Sequence, residues 1–177
     1  MRVENHTVGS IMHIVKRGAR GMNITGDLSD QIRFKRLLFY LNDTYQDNNL
    51  GHSINTLNFF ERPETWPERK PLVKILAWTL MPNHIHLILE EIREGGISKF
   101  MQRLCGSMSS YSNAKYKTTG SLFQGGYKGK LIDTDSYIKQ VFYYVIIKNV
   151  FELHHNGLEY AIKNFDEVWQ WALKYEF

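Results

Sequence analysis

Two apolar, strand-like stretches, Leu72 to Trp78 and His84 to Glu90, lie either side of the turn-favouring Met81-Pro82-Asn83, and this spacing is that of a hairpin. The rest of the chain arranges itself around that unit. Upstream, Ile11 to Val15 form a short apolar strand that runs into Lys16-Arg17-Gly18. After Gly26-Asp27-Leu28-Ser29, where Asp27 or Ser29 can cap, Ile32, Leu37, Leu38 and Leu41 fall near helical spacing to about Tyr45. The polar stretch from Asp47 to Lys70, with Pro63 and Pro67, predicts a long loop that carries Phe59, Phe60 and Trp66.

Downstream of the hairpin, Gly95-Gly96 break the chain. Ile97, Phe100, Met101, Leu104, Met108 and Tyr111 then recur at three- and four-residue steps to about Tyr116. A glycine-rich segment leads into a strand at about Tyr127 to Ile132. Asp133 or Asp135 is placed to cap a third helix reaching about Asn149, and a last helix spans about Leu158 to Tyr175 with Trp169 and Trp171 on opposite sides, one for the core and one for an interface or a stacked base. The order βαββαβ followed by helices predicts an α+β, ferredoxin-like antiparallel sheet with helices packed on one face, plus a C-terminal helix. We expect one domain over residues 1–150 and a helical extension, 151–177, packed on it.

With 43% hydrophobic residues, 177 residues can bury one sizeable core. A lone Cys105 excludes an internal disulfide framework and suits a reducing cytoplasm. No apolar run approaches the roughly 20 residues that span a bilayer, and the N-terminus lacks the apolar core of a signal peptide, so we expect a cytoplasmic protein. The net charge of +4 suits a polyanionic partner only if the cations share a surface. Basic clusters occur at Lys16-Arg17-Arg20, Arg33-Lys35-Arg36, Lys115-Lys117 and Lys128-Lys130.

Chemistry concentrates in the second hairpin strand. His84 and His86 flank Ile85, and strand side chains alternate, so both imidazoles face one way and form a two-histidine half-site for a divalent ion such as Mn²⁺ or Mg²⁺. On the third helix, Tyr137, Val141, Tyr144 and Lys148 make one stripe, whereas Tyr143 lies about 100° from Tyr144.

Met81-Pro82-Asn83-His84-Ile85-His86-Leu87 closely resembles the central motif of the single-tyrosine HUH transposases, the insertion-sequence-200-like and REP-associated tyrosine transposase family. The resemblance continues through Gly96 to Leu104, Tyr111-Ser112-Asn113, Thr119 to Lys128 and Asp135-Ser136-Tyr137-Ile138, covering about residues 10 to 150 in order. It implies a prokaryotic, nucleoid-associated nickase and strand transferase. In such an enzyme two histidines help hold a divalent metal ion on the scissile phosphate of single-stranded or hairpin DNA, while a helix-borne tyrosine attacks to leave a 5′-phosphotyrosine and a free 3′-OH. The family's seven-residue step from Tyr137 selects Tyr144 as nucleophile.

In the family an amide four residues after the nucleophile completes the metal shell. Here Lys148 stands at that place, and a protonated lysine is no ligand. The missing ligand is open to Asn149 on a shifted helix end, to Gln140, to His13 or to water, and Lys148 is open to a role beside Tyr144 or on the phosphate. Gln124, Tyr127 and Lys128 fall in a segment that matches the family, and with the basic Lys16, Arg17, Arg20, Lys130 and Lys148 they are the expected DNA contacts. The resemblance allows either a homodimer or a monomer. Two other classes stay in view: a domesticated DNA-binding protein with little cleavage, and a metal phosphoesterase that activates water.

Overall fold

The hairpin forms where its sequence places it, as β2 (Val73–Met81) turning through Pro82-Asn83 into β3 (His84–Glu91). The structure is a computed structural model that describes residues 3–174. β1 (Ile11–Arg17) pairs antiparallel with β3 on one side and with β4 (Lys128–Ile132) on the other, giving the order β2-β3-β1-β4. With α1 (Leu28–Tyr40) and α3 (Gly96–Tyr116) as the intervening helices, this is the expected ferredoxin-like topology.

Alternation along the strands sorts the sheet into two faces. Met12 and Ile14 of β1 and Ile85, Leu87 and Leu89 of β3 point to one face, where they pack with Phe34 and Leu37 of α1 and with Ile97, Phe100, Met101 and Leu104 of α3. Each of these large side chains, fully withdrawn from water, contributes on the order of 1.5–3 kcal/mol before chain entropy is counted. A bulge in β2 between Ile75 and Ala77 puts Leu76 and Ala77 on the same side, which feeds a smaller cluster on the second face with Ile88, Ile132, Val141 and Val145. Thus the two ferredoxin-type helices share one face, while the C-terminal helices cover part of the other.

That covering begins with α4 (Asp135–Phe142) and continues unbroken through a π-helical segment (Tyr143–Lys148) into α5 (Asn149–Glu152). The α4 cap is Thr134, in extended conformation, rather than Asp133 or Asp135; its hydroxyl accepts the Tyr137 N–H at 3.3 Å. α6 (Gly157–Lys163) and α7 (Phe165–Lys174) replace the single last helix expected, because the chain leaves helical geometry at Asn164 (φ −123°, ψ 48°). Tyr175, the expected end of that helix, lies outside the described residues. Neither tryptophan is a free platform: Trp169 stacks on Phe165 and Trp171 meets His154 edge-on, both packed against the Phe151–Ala161–Val168 cluster.

α1 starts on a capping box between Asp27 and Asp30 and stops at Tyr40, before the expected Tyr45. The reason is Asn42, whose carboxamide accepts from the Leu72 and Val73 amides at 3.0 Å each and donates to the Val73 carbonyl, drawing the chain off the helix to pin the start of β2. The long loop holds one short helix, α2 (Leu50–Ser53). No helix among the described residues is long and apolar enough to cross a membrane.

Candidate active site

β3 brings His84 and His86 to the second face, at its open end beyond the apolar patch. The two rings lie with centroids 4.8 Å apart. Strand pairing adds what the sequence did not reveal. His13 of β1 stacks on His86 with centroids 5.2 Å apart, and its Nε2 is 2.9 Å from His86 Nδ1. His84 Nδ1 lies 2.6 Å from Asn83 Oδ1, an oxygen that can only accept, so Nδ1 carries the proton and Nε2 keeps a free lone pair.

Burial and, after it, the neighbouring His13 hold the His86 imidazole down at about 3. Burial and the Lys130 ammonium hold His13 at about 4, and His84 is lowered by burial, then by Arg17. All three rings are therefore neutral at pH 7, the form that can bind a metal. His86 is 4% exposed and its Nε2 is buried without a hydrogen-bond partner; in the tautomer whose Nδ1–H donates to His13 Nε2, that atom presents a lone pair of the kind a bound ion would satisfy. Among the described residues no three His, Cys, Asp or Glu side chains converge as a ready-made metal shell. Two neutral imidazoles, His84 and His86, are the donors that β3 presents on this face. His13, whose Nε2 is engaged with His86, suits the supporting role of fixing that ring's tautomer rather than ligation.

The tyrosine helix lies against these rings. Tyr144 stands edge-on to His86 with centroids 5.3 Å apart and 6.5 Å from His13. Tyr143 turns away and is 59% exposed, against 37% for Tyr144. Up to this point the expected stripe holds, with Tyr137 and Val141 in the apolar cluster below. Beyond it the helix widens: the Asn149 N–H donates to the Tyr144 carbonyl, five residues back, where an α-helix would bond four back.

This π turn changes which residue follows Tyr144 in space. On an α-helix five residues amount to about 140° of rotation, which would turn Asn149 well away from Tyr144. The wide turn instead sets Asn149 one turn above Tyr144. Asn149 is 1% exposed and its Nδ2 is buried with no partner. Lys148 holds its Nζ 5.0 Å from the centre of the Tyr144 ring and 2.7 Å from Glu152 Oε2, a bond that raises the lysine's pKa and keeps it cationic. Thr79 of β2, paired with His86 across the ladder, donates its hydroxyl to the Val145 carbonyl within the π turn. Gln140 is exposed on α4.

The basic residues divide by face. Arg17, Lys128 and Lys130 alternate onto the histidine face, Lys130 directly across from His13 and over the Tyr137 ring at 4.2 Å. Lys16 points the other way, with Met12 and Ile14; it is 7% exposed and gives its ammonium to the Gly125 carbonyl, so it is no part of this surface. Tyr127 likewise lies on the α3 side, with its hydroxyl 2.9 Å from Ser98 Oγ. Gln124 is exposed beside Arg17, whose carbonyl accepts its N–H, and Arg20 is exposed in the short 3-10 turn Ala19–Gly21. Cys105, raised to about 11 by burial, is no thiolate nucleophile. A cavity of about 920 Å³ opens elsewhere, along the β2 edge, and includes none of these groups.

Residues 68–147 match the family model of the IS200-like transposases. Over that stretch the chain is similar to the IS200-like transposases. The matched stretch includes His84, His86 and Tyr144 and ends inside the π-helical segment, one residue before Lys148. Among solved structures, the chain is similar to a REP-associated tyrosine transposase bound to a REP hairpin, at 11% identity and a TM-score of 0.49, covering 83% of this chain and 70% of that one. It is also similar to a candidate transposase from Deinococcus radiodurans R1, at 15% identity and a TM-score of 0.42, covering 81% and 95%. No curated protein matches the chain in sequence.

Proposed function

We propose that this protein is a transposase that cuts and rejoins single-stranded or hairpin DNA through Tyr144. The observation that carries the reading is the approach of Tyr144 to His86 at 5.3 Å between ring centroids, with Tyr143 directed to solvent. His84 and His86, through their free Nε2 atoms, and the Asn149 amide are the groups that would hold a divalent ion, Mg²⁺ or Mn²⁺; Gln140 is too exposed to be preferred. When bound, such an ion polarises a phosphoryl oxygen and offsets the charge that develops on it.

The chain's own residues supply the rest. Arg17, Lys128 and Lys130 form the basic border of the histidine face and suit phosphate contacts, with Arg20 and Gln124 on the adjoining loops. His13 fixes the His86 ring and Asn83 fixes the His84 ring, so neither has to reorient during the reaction. The Tyr144 hydroxyl, attached to a helix that is clamped to β2 by Thr79, attacks phosphorus and retains the phosphodiester energy in a covalent link. Residues 1–150 would carry this activity, with 151–177 as a supporting appendage.

The test is incubation with end-labelled hairpin oligonucleotides and Mn²⁺ or Mg²⁺, followed by denaturing electrophoresis. A covalent adduct that maps to Tyr144, is lost in Tyr144→Phe and persists in Tyr143→Phe is expected. Cleavage that survives Tyr144→Phe without an adduct would indicate attack by water instead, and tight binding with no cleavage would indicate a DNA-binding protein.

A further inference from the structure

Lys148 is the residue by which the tyrosine helix departs from the pattern of its family, and its surroundings suggest a task. The π turn lets Asn149 stack above Tyr144 while Lys148 keeps its place beside the same ring, 5.0 Å from its centre. An α-helical turn could offer only one of the two at that height. Its charge reaches both His84 and His86. Glu152, one turn further on, binds it at 2.7 Å with both side chains partly open to solvent, 31% and 45% exposed. Lysine carries three donors, so one can remain on Glu152 while the others meet an incoming oxyanion.

We propose that Lys148 is a catalytic residue that binds the non-bridging oxygens of the scissile phosphate during attack, and that Glu152 is a positioning residue that aims it. The inference rests on the reading of Tyr144 as nucleophile. In the step concerned, a bond forms between Tyr144 Oη and phosphorus while the bond from phosphorus to the 3′-oxygen breaks. The phenolic proton passes to solvent, and the departing 3′-oxygen takes a proton from solvent to become a hydroxyl. Lys148 transfers nothing; its ammonium hydrogen bonds strengthen as negative charge gathers on the phosphoryl oxygens. Without Glu152 the long side chain has no tie at its tip, so fewer encounters find the ammonium over the ring.

The experiment measures single-turnover adduct formation on a labelled hairpin oligonucleotide at saturating protein, together with the salt dependence of binding to a single-stranded oligonucleotide. Lys148→Met should slow adduct formation by about 100-fold, and Lys148→Arg should recover much of that loss. Glu152→Gln should slow it by on the order of 10-fold, with rescue to no more than that in any Lys148 background. The double variant should be no slower than Lys148→Met alone, because a positioning residue has nothing left to position. Lys148→Met should also flatten the plot of log affinity against log salt by about 0.7. Wild-type rates in Lys148→Met, or losses that multiply in the double variant, would overturn the proposal. If the wild-type protein binds DNA but makes no adduct, the transposase mechanism itself fails. The salt slope then decides the phosphate contact alone, and an unchanged slope refutes it.

Discussion

Replacing Thr79 by valine isolates the tie between the sheet and the tyrosine helix. The side chain is 0% exposed and nearly the same size as valine, so the change removes a hydroxyl and little else. The lost partner is the carbonyl of Val145, itself 0% exposed and inside the π turn. A buried hydrogen bond contributes about 1 kcal/mol, rising to about 3 kcal/mol where the carbonyl finds no other donor. For a chain of this length each kcal/mol shifts the melting temperature by about 2–4 °C, so Thr79→Val should melt roughly 2–12 °C lower. Calorimetry or circular dichroism on the metal-free protein measures it. Thr79→Ser keeps the hydroxyl and serves as the matched control; it should lose less than Thr79→Val despite its smaller volume. Should serine prove the more damaging, packing rather than the hydrogen bond holds the helix, and the argument is wrong.

Acid should weaken the fold in a defined window. The unfolded state protonates His13 and His86 near 6.5, whereas the folded state resists until about 4 and about 3, so stability falls as the pH drops from about 6.5 toward 4; urea midpoints measured in chelator between pH 7 and 4 test this, and His13→Gln should flatten the trend. Carboxylates act lower: Asp27, held at about 2 by Lys115, contributes stability that is lost only below its unfolded value near 3.8. Gly18→Ala should be strongly destabilising or insoluble, since a Cβ there would sit 2.1 Å from the Met22 backbone oxygen; a soluble protein with unchanged melting would contradict the loop geometry.

The hairpin, the shared face of His84 and His86, and α3 are legible in the sequence because each rests on a short period that burial enforces. The stripe from Tyr137 to Tyr144 is legible for the same reason and ends where that period ends. Lys16 shows two signals in conflict: its charge argues for solvent, its alternation with Met12 and Ile14 argues for the core, and alternation prevails because Gly125 supplies a carbonyl for the ammonium. Tyr127 follows Gly129 and Leu131 to the α3 side by the same parity. The partnership of His13 with His86 has no local trace, since residues 73 positions apart meet only once strands choose their neighbours. The π turn left a faint mark in the β-branched run Val145-Ile146-Ile147, which favours α-helix poorly but does not say how a helix will yield.

An ordinary helix propagates any change in its length: one residue more rotates everything beyond it by about 100° and slides it by about 1.5 Å. The wide turn at Tyr143–Lys148 confines such a disturbance to a single loop of backbone, and Phe151 just past it still meets Ala161 and Val168. For the gene, this means that the stretch holding Tyr144 is a place where a codon can be gained without recasting the helices that follow it. The spare position is then free to acquire a side chain that the surrounding architecture never required.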